Sequence, residues 1–140
     1  MPNDSATAVL DRFYTAEAEY VAAGGRGKAD FAPVAAELDP DVLLAVQPGL
    51  PYSGQWRGHA GLEDFLAAFS ETWSSIDFLD TTRIVEGDRV AVRLQMRFTA
   101  RVNGRELETS LVQLNTVRAG LVTEFRPHYW DPAAVSALFD

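Results

Sequence analysis

No cysteine occurs in the sequence, which removes a disulfide framework, a thiolate metal site and a thiol nucleophile together. Histidine is scarce too: only His59 and His128 are present, far apart and without an acidic partner at ligand spacing, so no metal site is expected. Cations are few and scattered, with 12 Lys and Arg against 20 Asp and Glu and a net charge of −8. Phosphate backbones are bound by clustered Lys and Arg, so no nucleic acid partner is expected. Long apolar runs are missing, and with them any membrane span or secretory leader; a soluble, cytoplasmic protein is expected. Residues 24–28 look superficially like a phosphate loop. They follow a helix instead of a strand, and Ala29 stands where a magnesium-binding hydroxyl is needed. No cofactor is expected.

What is present is an ordinary apolar fraction, 47%, in 140 residues. That predicts a single domain over residues 1–140 with a sizeable core. Residues 88–131 organise it. Val90, Val92, Leu94, Met96, Phe98, Ala100 and Val102 alternate with polar or small residues, the period of a half-buried strand. Asn103-Gly104 fits both central positions of a two-residue hairpin turn. Such a turn pairs Val102 with Arg105, Phe98 with Thr109 and Leu94 with Gln113, and sets Arg101 across from Glu106 and Thr99 across from Glu108. A second two-residue turn at Ala119-Gly120 places Asn115 opposite Glu124, Gln113 opposite Arg126 and Leu111 opposite His128. One sheet face then carries apolar groups together with Gln113, Asn115, Glu124, Arg126 and His128, as a small-molecule pocket requires. A bulge in the last strand would send His128 to the other face.

Around this wall the chain reads simply. Asn3, Asp4 and Ser5 offer caps for a helix to about residue 23, with Val9, Leu10, Phe13, Ala16, Tyr20 and Val21 in its apolar stripe and Tyr14 and Glu17 at the margin. A short helix is expected over residues 30–38, a strand over 42–46, a helix over about 60–74, a strand over 76–85 and a closing helix over 133–139. Residues 47–58 are too rich in Pro and Gly for regular structure. Leu50, Tyr52 and Trp56 within them either cap a core or form the lip of a pocket. The order predicts an α+β layer architecture.

Leu50-Pro51-Tyr52-Ser53-Gly54, Trp56-Arg57-Gly58-His59-Ala60-Gly61, Gly87-Asp88-Arg89-Val90-Ala91-Val92 and Tyr129-Trp130-Asp131-Pro132 resemble SnoaL-like members of the NTF2-like superfamily, over nearly the whole chain. The resemblance implies a cystatin-like cone, a strongly curved antiparallel sheet wrapped around about three helices with a central cavity. Functions in that superfold are diverse, including ketosteroid isomerase, polyketide cyclases and non-catalytic binding proteins. Tyr14 matches the isomerase's tyrosine, but Gln47 stands near its base and Gln113 near its second Asp, and an amide cannot abstract a proton. The cyclases carry an acid/base three residues before the Asp that closes the last strand. Here that residue is His128.

These readings assign His128 and Tyr14 as catalytic, and Gln47, Tyr52, Trp56, Trp73, Gln113, Asn115, Arg126 and Trp130 as substrate-binding. The aromatic set would serve equally as plain core. Glu124 and Arg126 either orient His128 or form a surface ion pair. The expected partner is a small hydrophobic molecule, and the expected function is a cofactor-independent cyclase or isomerase of a polyketide-like or steroid-like carbonyl compound. The alternative is a non-catalytic ligand-binding or accessory protein. The outward strand face, with Arg93, Gln95, Arg97, Val112, Leu114 and Phe125, predicts a homodimer.

Overall fold

A computed structural model describes residues 5–140; Asn3 and Asp4, two of the three expected caps, lie outside the described residues. Ser5 caps the first helix, α1 (Ala6–Ala22), its Oγ accepting from the Ala8 N–H at 3.1 Å. Val9, Leu10, Phe13, Tyr14, Glu17, Tyr20 and Val21 form its buried face. Gly25 ends it in a left-handed conformation, φ +79°, where a Cβ would meet the Ser70 Cβ at 2.6 Å. The second helix, α2 (Ala32–Ala35), is a single turn, shorter than its expected span. Strand β1 (Leu38–Val46) therefore starts earlier than expected. Gly54–Arg57, expected as irregular, forms β2, antiparallel to β1. Helix α3 (Gly58–Thr72) runs directly into β3 (Trp73–Glu86). Strands β4 (Arg89–Ala100), β5 (Glu106–Arg118) and β6 (Leu121–Tyr129) follow. Asp131 caps the closing helix, α4 (Pro132–Ala137), accepting from the Ala134 N–H at 3.1 Å.

The six strands form one curved, unclosed sheet in the order β2-β1-β6-β5-β4-β3. Every pairing is antiparallel except β1 with β6, which is parallel and departs from the all-antiparallel expectation. Helices α1 and α3 pack on the concave face: α1 against β3 and the middle strands, α3 against β1 and β2. Between them lies the apolar core. Val90, Val92, Leu94, Met96, Phe98 and Ala100 all point into it, as their alternation predicts. Val102 does not; it is 77% exposed.

Two registers differ from expectation, each for a visible reason. The β4–β5 hairpin opens at Ala100, whose N–H bonds the Arg105 carbonyl, so Phe98 pairs with Leu107 and Val92 with Gln113. Arg101 is drawn away to the C-terminal end of α3. Its backbone N–H donates to the Thr72 carbonyl at 2.9 Å, and its guanidinium donates to the Ser70 and Trp73 carbonyls at 2.7 and 3.3 Å. Helix ends leave such carbonyls without intrahelical partners, and Arg101 supplies them. The resulting shift of two residues keeps every inward side chain inward; it sets Thr99 opposite Glu106 and Arg97 opposite Glu108, the latter an ion pair at 3.1 Å.

The second shift changes faces. The Ala119-Gly120 turn does join Arg118 to Leu121 as a two-residue loop, both residues at positive φ. The ladder then slips by one between Val117↔Val122 and Thr116↔Glu124, with Thr123 as the extra residue. Beyond the bulge Phe125, Pro127 and Tyr129 turn inward and are buried, while Glu124, Arg126 and His128 face out. Phe125 packs on Phe13 with ring centroids 4.6 Å apart. Burying one Phe is worth about 1.5–3 kcal/mol, and the unbulged register would bury a carboxylate, a guanidinium and an imidazole instead. Phe125 is thus removed from the outer face on which it was expected.

Candidate functional site

The cavity sits under the concave face between α1, α3 and the middle of the sheet. Its walls are mostly aromatic and aliphatic: Phe65 and Phe69 from α3, Phe78 from β3, Met96 and Phe98 from β4, and Phe125 from β6. Its volume is about 30 Å³, on the scale of a single water molecule. Among its lining residues Phe78 and Gln113 are the half-buried ones, and they mark the mouth.

Four lining side chains carry polar atoms: Glu17, Tyr52, Gln113 and Tyr129. Glu17 is the one that sequence reasoning left at the margin of the α1 stripe. It is 8% exposed and makes no hydrogen bond or ion pair among the described residues. Burial raises its pKa from the ordinary 4.5 to about 8, because an apolar surround disfavours the charged form. The signal was in its spacing. Glu17 lies four residues after Phe13 and three before Tyr20, in the middle of the apolar stripe.

Tyr14 stands one turn before Glu17. Its hydroxyl donates to Gln113 Oε1 at 2.5 Å and accepts from Asn115 Nδ2 at 3.3 Å. Burial pushes its pKa well above the ordinary tyrosine range, with the Asn115 donor opposing. The Tyr14 proton is therefore committed to Gln113 and does not point into the cavity. It fixes the Gln113 carboxamide so that the amide nitrogen, which has no described partner, is left for the mouth. Asn115 is fully buried behind them, its Oδ1 unpaired.

Tyr52 and Tyr129 close the far side. Their hydroxyl oxygens are 2.8 Å apart, and Trp73 Nε1 donates to Tyr52 Oη at 3.2 Å. Trp73 itself does not line the cavity; it is fully buried against Phe98, ring centroids 4.8 Å apart. Trp56 likewise lies behind the wall, against Phe65, with Nε1 donating to the Tyr52 carbonyl at 3.2 Å. Gln47 is also structural in its contacts, since its Oε1 accepts from the Tyr129 backbone N–H.

Three expected placements are corrected by the Thr123 bulge and the strand end. His128 is exposed on the outer face opposite Val112. Arg126 is on that face too, in an ion pair with Glu124 at 2.7 Å. Trp130 is 84% exposed just beyond β6. None of the three reaches the cavity. Among the described residues no group of His, Asp or Glu is arranged to hold a metal ion, and no helix is long and apolar enough to cross a membrane.

No curated protein sequence matches the chain. Solved structures do. An NTF2-like protein from Burkholderia xenovorans LB400 aligns at 22% identity over 100% of this chain and 99% of its own, TM-score 0.79. TerC, co-crystallized with polyporic acid, aligns at 20% identity over 96% and 98%, TM-score 0.80. A protein from Xanthomonas campestris pv. campestris with a provisional polyketide cyclase assignment aligns at 18% identity over 94% of both chains, TM-score 0.75. At these identities the likeness establishes the fold, an NTF2-like one. Residues 10–125 match the SnoaL-like domain, and the chain belongs to that family.

Proposed function

We propose that the protein binds a small hydrophobic carbonyl compound in this cavity, which widens from about 30 Å³ as the ring of Phe78 swings away from the mouth, and moves a proton on it, as a cofactor-independent isomerase or cyclase acting in the cytoplasm. One observation carries the reading: Glu17, a carboxyl with no partner among the described residues, is buried in a mostly apolar cavity that pushes its pKa up to about 8. A general acid/base works best when its pKa lies near the working pH. The ionised form takes a proton from the carbon beside the carbonyl. The neutral form returns it to another carbon, or to the oxygen formed when the enolate closes a ring. His128, expected from sequence as the acid/base, lies on the outer face, so this reading gives the role to Glu17; Gln113 offers its amide at the mouth. The polyporic acid found with TerC and the provisional cyclase support a small organic ligand.

The test is deuterium exchange beside the carbonyl in a panel of hydrophobic ketones, followed by proton NMR. Wild type should exchange at least one of them, and Glu17→Gln should slow it by about 10²-fold or more. Binding without exchange in either protein would favour the second reading, a non-catalytic ligand carrier. That reading has its own support: Gln47 occupies the place of a base and is engaged with the Tyr129 backbone. We also propose that two copies pair through the outer sheet face, where Val112 and Leu114 are 45% and 40% exposed.

A further inference from the structure

The hydrogen-bond inventory at the far side of the cavity does not close. Trp73 Nε1 can only donate, and it donates to Tyr52 Oη at 3.2 Å. Tyr52 and Tyr129 each bring one hydroxyl hydrogen, and one of the two fills the 2.8 Å contact between their oxygens. The other hydrogen has no acceptor among the described residues. Both rings line the cavity, so that hydrogen is available to whatever the cavity holds.

The contact with Trp73 gives the chain a direction. A hydroxyl that accepts a hydrogen bond becomes a stronger donor, so Tyr52, which accepts from Trp73, donates to Tyr129. The unused hydrogen is then that of Tyr129. Its position is well defined: the backbone N–H is held by Gln47 Oε1, and the ring stacks on Phe98 at 6.0 Å. A buried donor without an acceptor is unfavourable, and a ligand oxygen would relieve it. Among the described residues that line the cavity, Glu17 carries the one carboxyl.

From this we infer that the Tyr129 hydroxyl is a ligand-binding donor that holds a carbonyl or enolate oxygen, strengthened by the chain from Trp73 through Tyr52. The inference rests on the pocket reading above and adds to it the atom that grips the ligand's oxygen. It also differs from the expectation for Tyr14, whose proton is taken by Gln113.

The experiment compares two probes of the same shape, 1-indanone and indane, by calorimetry. The protein is wild type, Tyr129→Phe and Tyr52→Phe, each also in a Phe78→Ala background that widens the mouth. Wild type should prefer the ketone by about tenfold, the value of one hydrogen bond. Tyr129→Phe should bind both probes alike while still binding indane as wild type does, which shows that the fold and the cavity survive. Tyr52→Phe should keep part of the preference, because Tyr129 retains its own hydrogen. With carbonyl-¹³C indanone, the bound carbonyl resonance should move downfield in wild type and not in Tyr129→Phe. Equal binding of both probes by wild type overturns the inference and leaves the pocket reading standing. Loss of the preference in Tyr52→Phe but not in Tyr129→Phe also overturns it, since the donor would then be Tyr52. Failure of both probes to bind, even with Phe78→Ala, overturns the pocket reading and this inference together.

Discussion

Glu17 should make the protein less stable as the solution becomes alkaline. Its folded pKa, about 8, lies above the ordinary 4.5, so the folded state holds a proton that the unfolded chain has released between those values. The contribution is fully present below about pH 4.5, shrinks as pH rises, and is gone once pH passes through 8. Its size is a few kcal/mol. Urea unfolding at pH 5 and pH 8.5 should show this slope in wild type and a flatter one in Glu17→Gln. Tyr14 gives a second test. Tyr14→Phe removes the closer of two acceptors of the fully buried Asn115 amide, whose Oδ1 is already unpaired, together with the donor to Gln113, and should cost about 1–3 kcal/mol. Glu17 was legible in principle, because a carboxylate in the middle of a helix's apolar stripe is uncommon unless it is paired or functional. The direction of the Tyr14 proton was not, since it depends on Gln113, distant in sequence and brought beside α1 only by the sheet.

Among the elements, the alternation in β4 and the capping of α1 and α4 carried through to the structure because each depends on a few neighbouring residues. The candidate site did not, because it hung on one residue of register in β6. The clue to the bulge lay within that strand: Phe125, Pro127 and Tyr129 are the apolar set, and Glu124, Arg126 and His128 the polar one. Turn chemistry argued for one face and burial for the other; burial is the larger effect. Deleting Thr123, the extra residue, should therefore regularise the ladder with Phe125 still opposite Asn115 and Glu124, Arg126 and His128 still outside, and circular dichroism should still find cooperative melting. Arg101→Ala acts at the other hairpin. It strips two carbonyls at the end of α3 of their guanidinium donors and should cost about 1–3 kcal/mol, read from thermal melts.

For the whole molecule, the family and fold were legible from motifs spread along the chain, while the identity of the ligand is set by the shape of a cavity that no short motif encodes. Two expectations belong at this scale. Leu114→Glu puts a charge on the outer face and should convert the proposed dimer to monomers in sedimentation without changing the melting temperature of the isolated subunit. Phe78→Ala should speed ligand entry, since this half-buried ring narrows the mouth of a cavity of about 30 Å³; stopped-flow tryptophan fluorescence would follow it. The parallel pairing of β1 with β6 has a consequence for biosynthesis. On the ribosome β1 emerges early, yet its neighbour on that side, with Phe125 to cover Phe13, is the last strand of the sheet to appear. The nascent chain must therefore carry β1's unpaired edge and an incompletely covered α1 until translation has passed Tyr129, and only then can β1 and β2 join the other three strands. Such distant pairing favours slow folding, and an unpaired edge invites aggregation while it waits. Stalled chains ending before residue 121 should accordingly be protease-sensitive, and those that expose the whole of β6 outside the exit tunnel protected.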